Sequence, residues 1–80
     1  MKVPRQLSGE DLLKALAVLG YKKSRQSSSH IRVTTQIGGE HHVTVPDHKV
    51  LPVGTLKSIL RDVARHFGCT SDEIVSRLFG

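Results

Sequence analysis

The segment HIRVTTQIGGEHHVTVP, residues 30–46, predicts two β-strands joined by a turn. In its first half, the apolar residues Ile31 and Val33 alternate with polar residues, which is typical of a strand with one buried face. The glycine pair 38–39 marks the turn, since glycine readily adopts the left-handed conformation that tight hairpins require. A strand over about 30–36 and a strand over about 40–46 therefore form the centre of the predicted fold.

The register of this hairpin follows from its apolar pattern, because directly opposed residues share one face of a sheet. A two-residue loop would pair Val33 with Thr44 and mix the two faces. A three-residue loop over 37–39 pairs Val33 with Val43, and we expect this arrangement. The same register places three polar side chains on the face away from the helices: His30, Arg32 and Thr34.

Helical patterns flank the hairpin on both sides. Ser8 and Gly20 are cap residues for a first helix, and Gly68 ends a second helix with apolar residues at i, i+3, i+4 and i+7. In chain order, the predicted elements are helix 9–19, strand 21–26, strand 30–36, strand 40–46, a helix from about 53–55 to 67, and a short helix that Thr70 and Glu73 open. This order predicts an α+β domain with helices on one face of a three-stranded antiparallel sheet.

Composition narrows the class of partner. Twelve Lys and Arg against seven Asp and Glu give a formal net charge of +5, which favours polyanions such as nucleic acid. The single cysteine, Cys69, excludes an internal disulfide framework and suits a reducing compartment. The longest mostly apolar run, 12–19, is too short to span a membrane, and no signal-peptide pattern follows Met1. We expect one cytoplasmic domain over residues 1–80.

Three kinds of catalytic or metal site find little support in the sequence. The serines at 27–29 lack a nucleophile elbow and an acid placed to orient a histidine. The five histidines show no metal-ligand spacing, so we expect no metal and no cofactor. His41, His42 and His66 are most simply interpreted as exposed polar residues without a specific role. The acidic residues are dispersed along the chain and form no pair for acid–base catalysis.

His30 in its basic surroundings is the remaining candidate for chemistry. Attack of a ribose 2′-OH on its own phosphate requires only a group that exchanges protons near neutral pH and positive charge around the phosphate. The predicted RNA or phosphate contacts are Lys22, Lys23, Arg25, Ser28, Ser29, Arg32, Lys57 and Arg61. From the residues alone, two alternatives stay open: a non-catalytic RNA-binding module that uses a basic helix and strand, and a domain that binds an acidic protein.

Four segments together resemble the HicA family of toxins, the mRNA interferases of HicA–HicB toxin–antitoxin systems. They are Gly20-Tyr21, RQSSSH at 25–30, VTVPDH at 43–48 and LPVGTLKSIL at 51–60. The resemblance covers a core of about residues 8–68 and leaves a C-terminal extension, 69–80.

This resemblance implies a fold like that of double-stranded-RNA-binding domains. It also implies metal-independent endoribonuclease activity that cleaves mRNA and arrests translation and growth, with His30 as the catalytic residue. The implied partner is a HicB-like antitoxin. The family usually has glycine at the position of Ser28, and a positive φ there would strain a serine.

Overall fold

The computed structural model describes residues 2–80 of the chain. In order, it contains α1 (Gly9–Leu16), a short 3₁₀ turn (Ala17–Leu19), β1 (Lys22–Gln26), β2 (His30–Thr35), β3 (His41–Pro46), α2 (Val53–Phe67) and α3 (Ser71–Phe79). The three strands form an antiparallel sheet in the order β1-β2-β3. The predicted α+β fold, similar to double-stranded-RNA-binding domains with one added C-terminal helix, is confirmed.

The central hairpin has the predicted register. Val33 pairs with Val43, and Ile31 pairs with Val45, as the three-residue loop requires. β2 ends one residue earlier and β3 begins one residue later than predicted, so Gln36 lies in the turn, where its carbonyl accepts a 3.1 Å hydrogen bond from the amide of Gly39. The apolar pattern was sufficient here because a slip of one residue would have exposed every valine.

Thr35 is the one polar residue in the core of the described chain. Its side chain contacts the backbone at the point where the first helix ends. Its Oγ1 donates to the carbonyl of Leu19 at 2.8 Å and accepts from the amide of Ile37 at 3.1 Å. The last turn of the predicted first helix is a 3₁₀ turn, and Gly20 follows at φ 84°. The buried hydroxyl therefore ties the end of this turn to the hairpin.

The core lies between the helices and one face of the sheet. Leu12 and Leu16 of α1 and Val45 of β3 are fully buried there, together with apolar side chains of α2. Ile74 of α3 is also fully buried in the same cluster, so the C-terminal extension packs as part of the domain. The other face of the sheet remains uncovered, and β1 is exposed along its whole length.

Gly9 allows α1 to approach the end of β3. Its amide donates to the carbonyl of His48 at 2.9 Å, and a Cβ on Gly9 would collide with the carbonyl oxygen of Pro46. A second backbone bond, from Leu51 to the carbonyl of Leu7 at 2.7 Å, extends this contact. The loop after β3 is thereby fixed against the start of α1.

Candidate active site

The uncovered face of the sheet, which we call the open face, collects polar and basic side chains. Its members alternate with the buried residues of β2 and β3, and strand pairing extends the set onto β1. They are Lys22, Ser24, Arg25, His30, Arg32, Thr34, His42 and Thr44.

A β-bulge at Ser24 brings Arg25 onto the open face. Lys23 pairs with Val33, but the register then shifts, and Arg25 instead of Ser24 pairs with Arg32. Oγ of Ser24 lies 3.2 Å from the carbonyl of Arg32, to which it donates. Bulges of this kind redirect side chains, and here the bulge places two guanidinium groups beside each other on one face.

A cavity of about 190 Å³ lies at the end of the open face, lined by Arg25, Ser27, His30, Arg32 and Thr44. The turn beside it is fixed at both ends. The amide of Ser27 donates to the carbonyl of His30 at 2.9 Å, and the amide of Asp47 donates to the carbonyl of Ser29 at 2.9 Å. Two arginines and a histidine around a small cavity are suited to a phosphate group.

Ser28 is not strained in this turn. Within residues 2–80, Gln6 is the only residue other than glycine with a positive φ. The strain expected if serine replaced a left-handed glycine is therefore absent, because the turn does not use that conformation here.

The imidazole of His30 is exposed and held through one nitrogen. Its Nδ1 lies 3.0 Å from Oγ of Ser29, and no group in the described part of the chain hydrogen-bonds its Nε2. In the tautomer whose Nδ1–H donates to Ser29, the lone pair of Nε2 is free to accept a proton. The ring can therefore act as a base toward a bound ligand.

The basic residues of β1 and β2 that were predicted to contact RNA do not all lie at the cavity. Arg25 and Arg32 line the cavity with His30, and Lys22 lies farther along the open face. Lys23 pairs with Val33, so its side chain lies on the opposite face, where Nζ donates to Gln26 at 2.9 Å.

The remaining predicted contacts lie away from the cavity or at its rim. Ser28 and Ser29 belong to the turn and do not line the cavity, although Ser29 holds the imidazole. Lys57 and Arg61 are on α2, which packs against the helix-bearing face. Ser27 and Thr44 line the cavity and were not among the predicted contacts, and Thr44 pairs with Arg32 across the hairpin.

His41 and His66 belong to a packed cluster, so their interpretation as exposed polar residues without a specific role is wrong. The hydroxyl of Tyr21 lies 2.7 Å from Nδ1 of His41, whose Nε2 is 3.4 Å from Asp62. The ring of His66 stacks on His41 at a centroid distance of 4.4 Å. Burial, with a smaller effect of the charge of Asp62, raises the pKa of Tyr21 to about 12. This cluster joins β3 to α2 and lies apart from the cavity.

Residues 2–80 contain no group of three or more His, Cys, Asp or Glu side chains placed to hold a metal ion. Over the same residues, every helix is too short or too polar to cross a membrane.

Comparison with known proteins identifies the family. No curated protein and no solved structure matches the chain at a significant level. A family model, described as HicA toxin of bacterial toxin–antitoxin systems, matches residues 9–64, which include the cavity, its turn and most of α2. Because this match covers more than half of the 80 residues, the chain belongs to the HicA toxin family.

Proposed function

We propose that this toxin is a metal-independent endoribonuclease that cleaves mRNA with His30 as its catalytic base. The observation that carries the proposal is the cavity itself, where the imidazole of His30 and the guanidinium groups of Arg25 and Arg32 surround a space of about 190 Å³. Positive charge and a group that exchanges protons are the two requirements for phosphate transfer within RNA.

In the proposed reaction, each of these groups has a role. Nε2 of His30 accepts the proton of a ribose 2′-OH while that oxygen attacks the adjacent phosphorus. The two arginines stabilise the negative charge that develops on the phosphate oxygens. The bond to the 5′-oxygen breaks, and that oxygen takes a proton from the imidazolium or from water. The products are a 2′,3′-cyclic phosphate and a 5′-hydroxyl, so DNA, which lacks the 2′-OH, is not cleaved.

Membership of the HicA family supports the cellular part of the proposal. Cleavage of mRNA in the cytoplasm would stop translation and growth, and a HicB-like antitoxin would neutralise the toxin. The open face is the surface that such a partner has to cover, because it carries the cavity.

The test compares wild-type protein with His30→Ala. We expect His30→Ala to abolish both RNA cleavage and growth arrest, while its circular dichroism and melting temperature stay unchanged, since the ring is exposed. His48→Ala is the matched control, because His48 is also an exposed histidine but does not line the cavity. Cleavage by His30→Ala at the wild-type rate would refute the assignment.

A non-catalytic RNA-binding module is the second candidate. The observation in its favour is the row of Lys57, Arg61 and Arg65 along α2, spaced to lie on one side of the helix. If this row alone determines function, its neutralisation abolishes RNA binding, and His30→Ala changes neither binding nor growth arrest.

A further inference from the structure

We propose that a second cleft on the open face binds the base of a nucleotide that neighbours the cleaved phosphate, with His42 as the ring on which the base stacks. This inference rests on the proposed ribonuclease function. The cleft, which we call the His42 cleft, has a volume of about 600 Å³ and lies at the opposite end of the open face from His30. Its lining includes Lys22, Ser24, Thr34, Ile37, Glu40 and His42.

A chain of hydrogen bonds fixes the ring of His42. Oγ of Ser24 contacts the carbonyl of Arg32 at 3.2 Å and Oγ1 of Thr34 at 2.8 Å, and Oγ1 of Thr34 contacts Nδ1 of His42 at 2.6 Å. A carbonyl only accepts and each hydroxyl has one proton, so Ser24 donates to Arg32 and Thr34 donates to Ser24. Nδ1 of His42 is then the donor to Thr34. The ring is therefore oriented before any ligand binds.

The walls of the cleft suit a flat, partly apolar ligand. Ile37 is 56% exposed although it is a large apolar residue, and the aliphatic stem of Lys22 adds apolar surface. Ligand sites usually combine such walls with a few fixed polar groups in volumes of roughly 300–1,000 Å³. Proteins that read single-stranded RNA commonly stack unpaired bases on aromatic rings, histidine included.

The charged residues indicate which end of the cleft would bind the base and which end would bind phosphates. Nε2 of His42 is 3.7 Å from the carboxylate of Glu40, so this end carries an acid that would repel a phosphate. Lys22 lies at the other end of the cleft, on β1 and on the same edge of the sheet as Arg25. We therefore place the base against His42 and Glu40, and the phosphates along Lys22 and Arg25. Every base carries N–H donors that a carboxylate can accept.

The separation from His30 excludes His42 as a second catalytic group at the same phosphate. Thr34, which pairs with His42, is four residues from His30 along β2, or roughly 13 Å at the rise of a β-strand. Proton transfer requires contact within hydrogen-bond reach. The separation is instead compatible with a nearby nucleotide of the same RNA strand, lying along the open face.

The test measures binding rather than cleavage. All variants are made in the full-length His30→Ala protein, which removes the proposed catalytic base, and a fluorescent single-stranded hexanucleotide of mixed sequence is titrated by anisotropy. We expect the additional change His42→Ala to weaken binding about tenfold, as for other stacked bases. Thr34→Val removes the hydrogen bond that orients the ring of His42, and it should weaken binding by less than His42→Ala does. Lys14→Ala, on an exposed part of α1, is the control and should leave binding unchanged.

His42→Phe decides whether stacking is the cause. A phenyl ring stacks but cannot carry charge or donate, so we expect binding within about twofold of the parent. Failure of His42→Phe to restore binding would overturn the stacking assignment. Equal affinity of the parent and His42→Ala would overturn the cleft as an RNA site, and the same holds if His42→Ala weakens only binding of the antitoxin.

The two proposals fail separately. If wild-type protein cleaves no RNA but His42→Ala weakens binding, the cleft stands and the ribonuclease function falls. If wild-type protein cleaves RNA while His42→Ala binds normally, the function stands and the cleft falls.

Discussion

Oγ of Ser29 lies 3.0 Å from Nδ1 of His30, so the turn that precedes the proposed catalytic histidine also orients its ring. Loss of one neutral hydrogen bond costs about 1 kcal/mol. We therefore expect Ser29→Ala to lower kcat for RNA cleavage about fivefold and to leave KM unchanged, because the hydroxyl holds the ring and does not line the cavity. Steady-state kinetics on a single-site oligonucleotide measures both constants.

Ser29→Thr is the control for this prediction, since it keeps a hydroxyl at the same position and should retain most of the activity. An effect of Ser29→Ala on KM alone would show that the serine contacts RNA instead of positioning His30.

The two groups of basic residues should behave differently in kinetics. Arg32 lines the cavity, whereas Arg61 lies on α2 at the other face. We expect Arg32→Gln to lower kcat about a hundredfold, as for loss of one group that stabilises a developing anion. Arg61→Gln should raise KM only, and should lower the slope of log affinity against log salt by about one if Arg61 contacts a phosphate. Equal losses of kcat in both variants would contradict the assignment of this cavity as the site of RNA cleavage.

The hairpin could be predicted from the sequence because its register depends on a periodic pattern. Val33 and Val43 have only one arrangement that buries both, and the predicted position of His30 on the polar face followed from it. The caps at Ser8 and Thr70 could also be predicted, since each capping box is a local motif, and both are present in the structure.

The bulge at Ser24 could not be predicted, because its cause is not local. Regular alternation would have put Arg25 on the helix-bearing face, and the contact of Ser24 with the carbonyl of Arg32 depends on pairing with a distant strand. The proposed role of His42 could not be predicted for a similar reason. Only the folded sheet brings Thr34 of β2 next to the ring of His42 on β3.

Gly9 should tolerate no side chain. A Cβ there would collide with the backbone of Pro46, which cannot move without disturbing the end of β3 beside His30. We expect Gly9→Ala to lower the free energy of unfolding by about 1–3 kcal/mol, as for other overpacked sites. Gly54→Ala is the matched control, because it has open space around it in α2 and should raise stability by about 0.4–1 kcal/mol. Urea denaturation measures both, and equal stability of Gly9→Ala and wild type would show that α1 can shift.

Stability at alkaline pH should depend on Tyr21. Its pKa is about 12 in the folded protein, against an ordinary value near 10, because burial and the charge of Asp62 disfavour the phenolate. A raised pKa of an acid means that the unfolded chain loses this proton first, so stability is retained below pH 10 and declines as pH rises from 10 to 12.

Tyr21→Phe lacks this proton, but it also loses the hydrogen bond to His41, which should cost about 1 kcal/mol at pH 7. In urea melts from pH 7 upward, we therefore expect wild type to begin as the more stable protein and its advantage to shrink above pH 10. An advantage that stays constant to pH 12 would show that the phenolate is tolerated in the folded cluster.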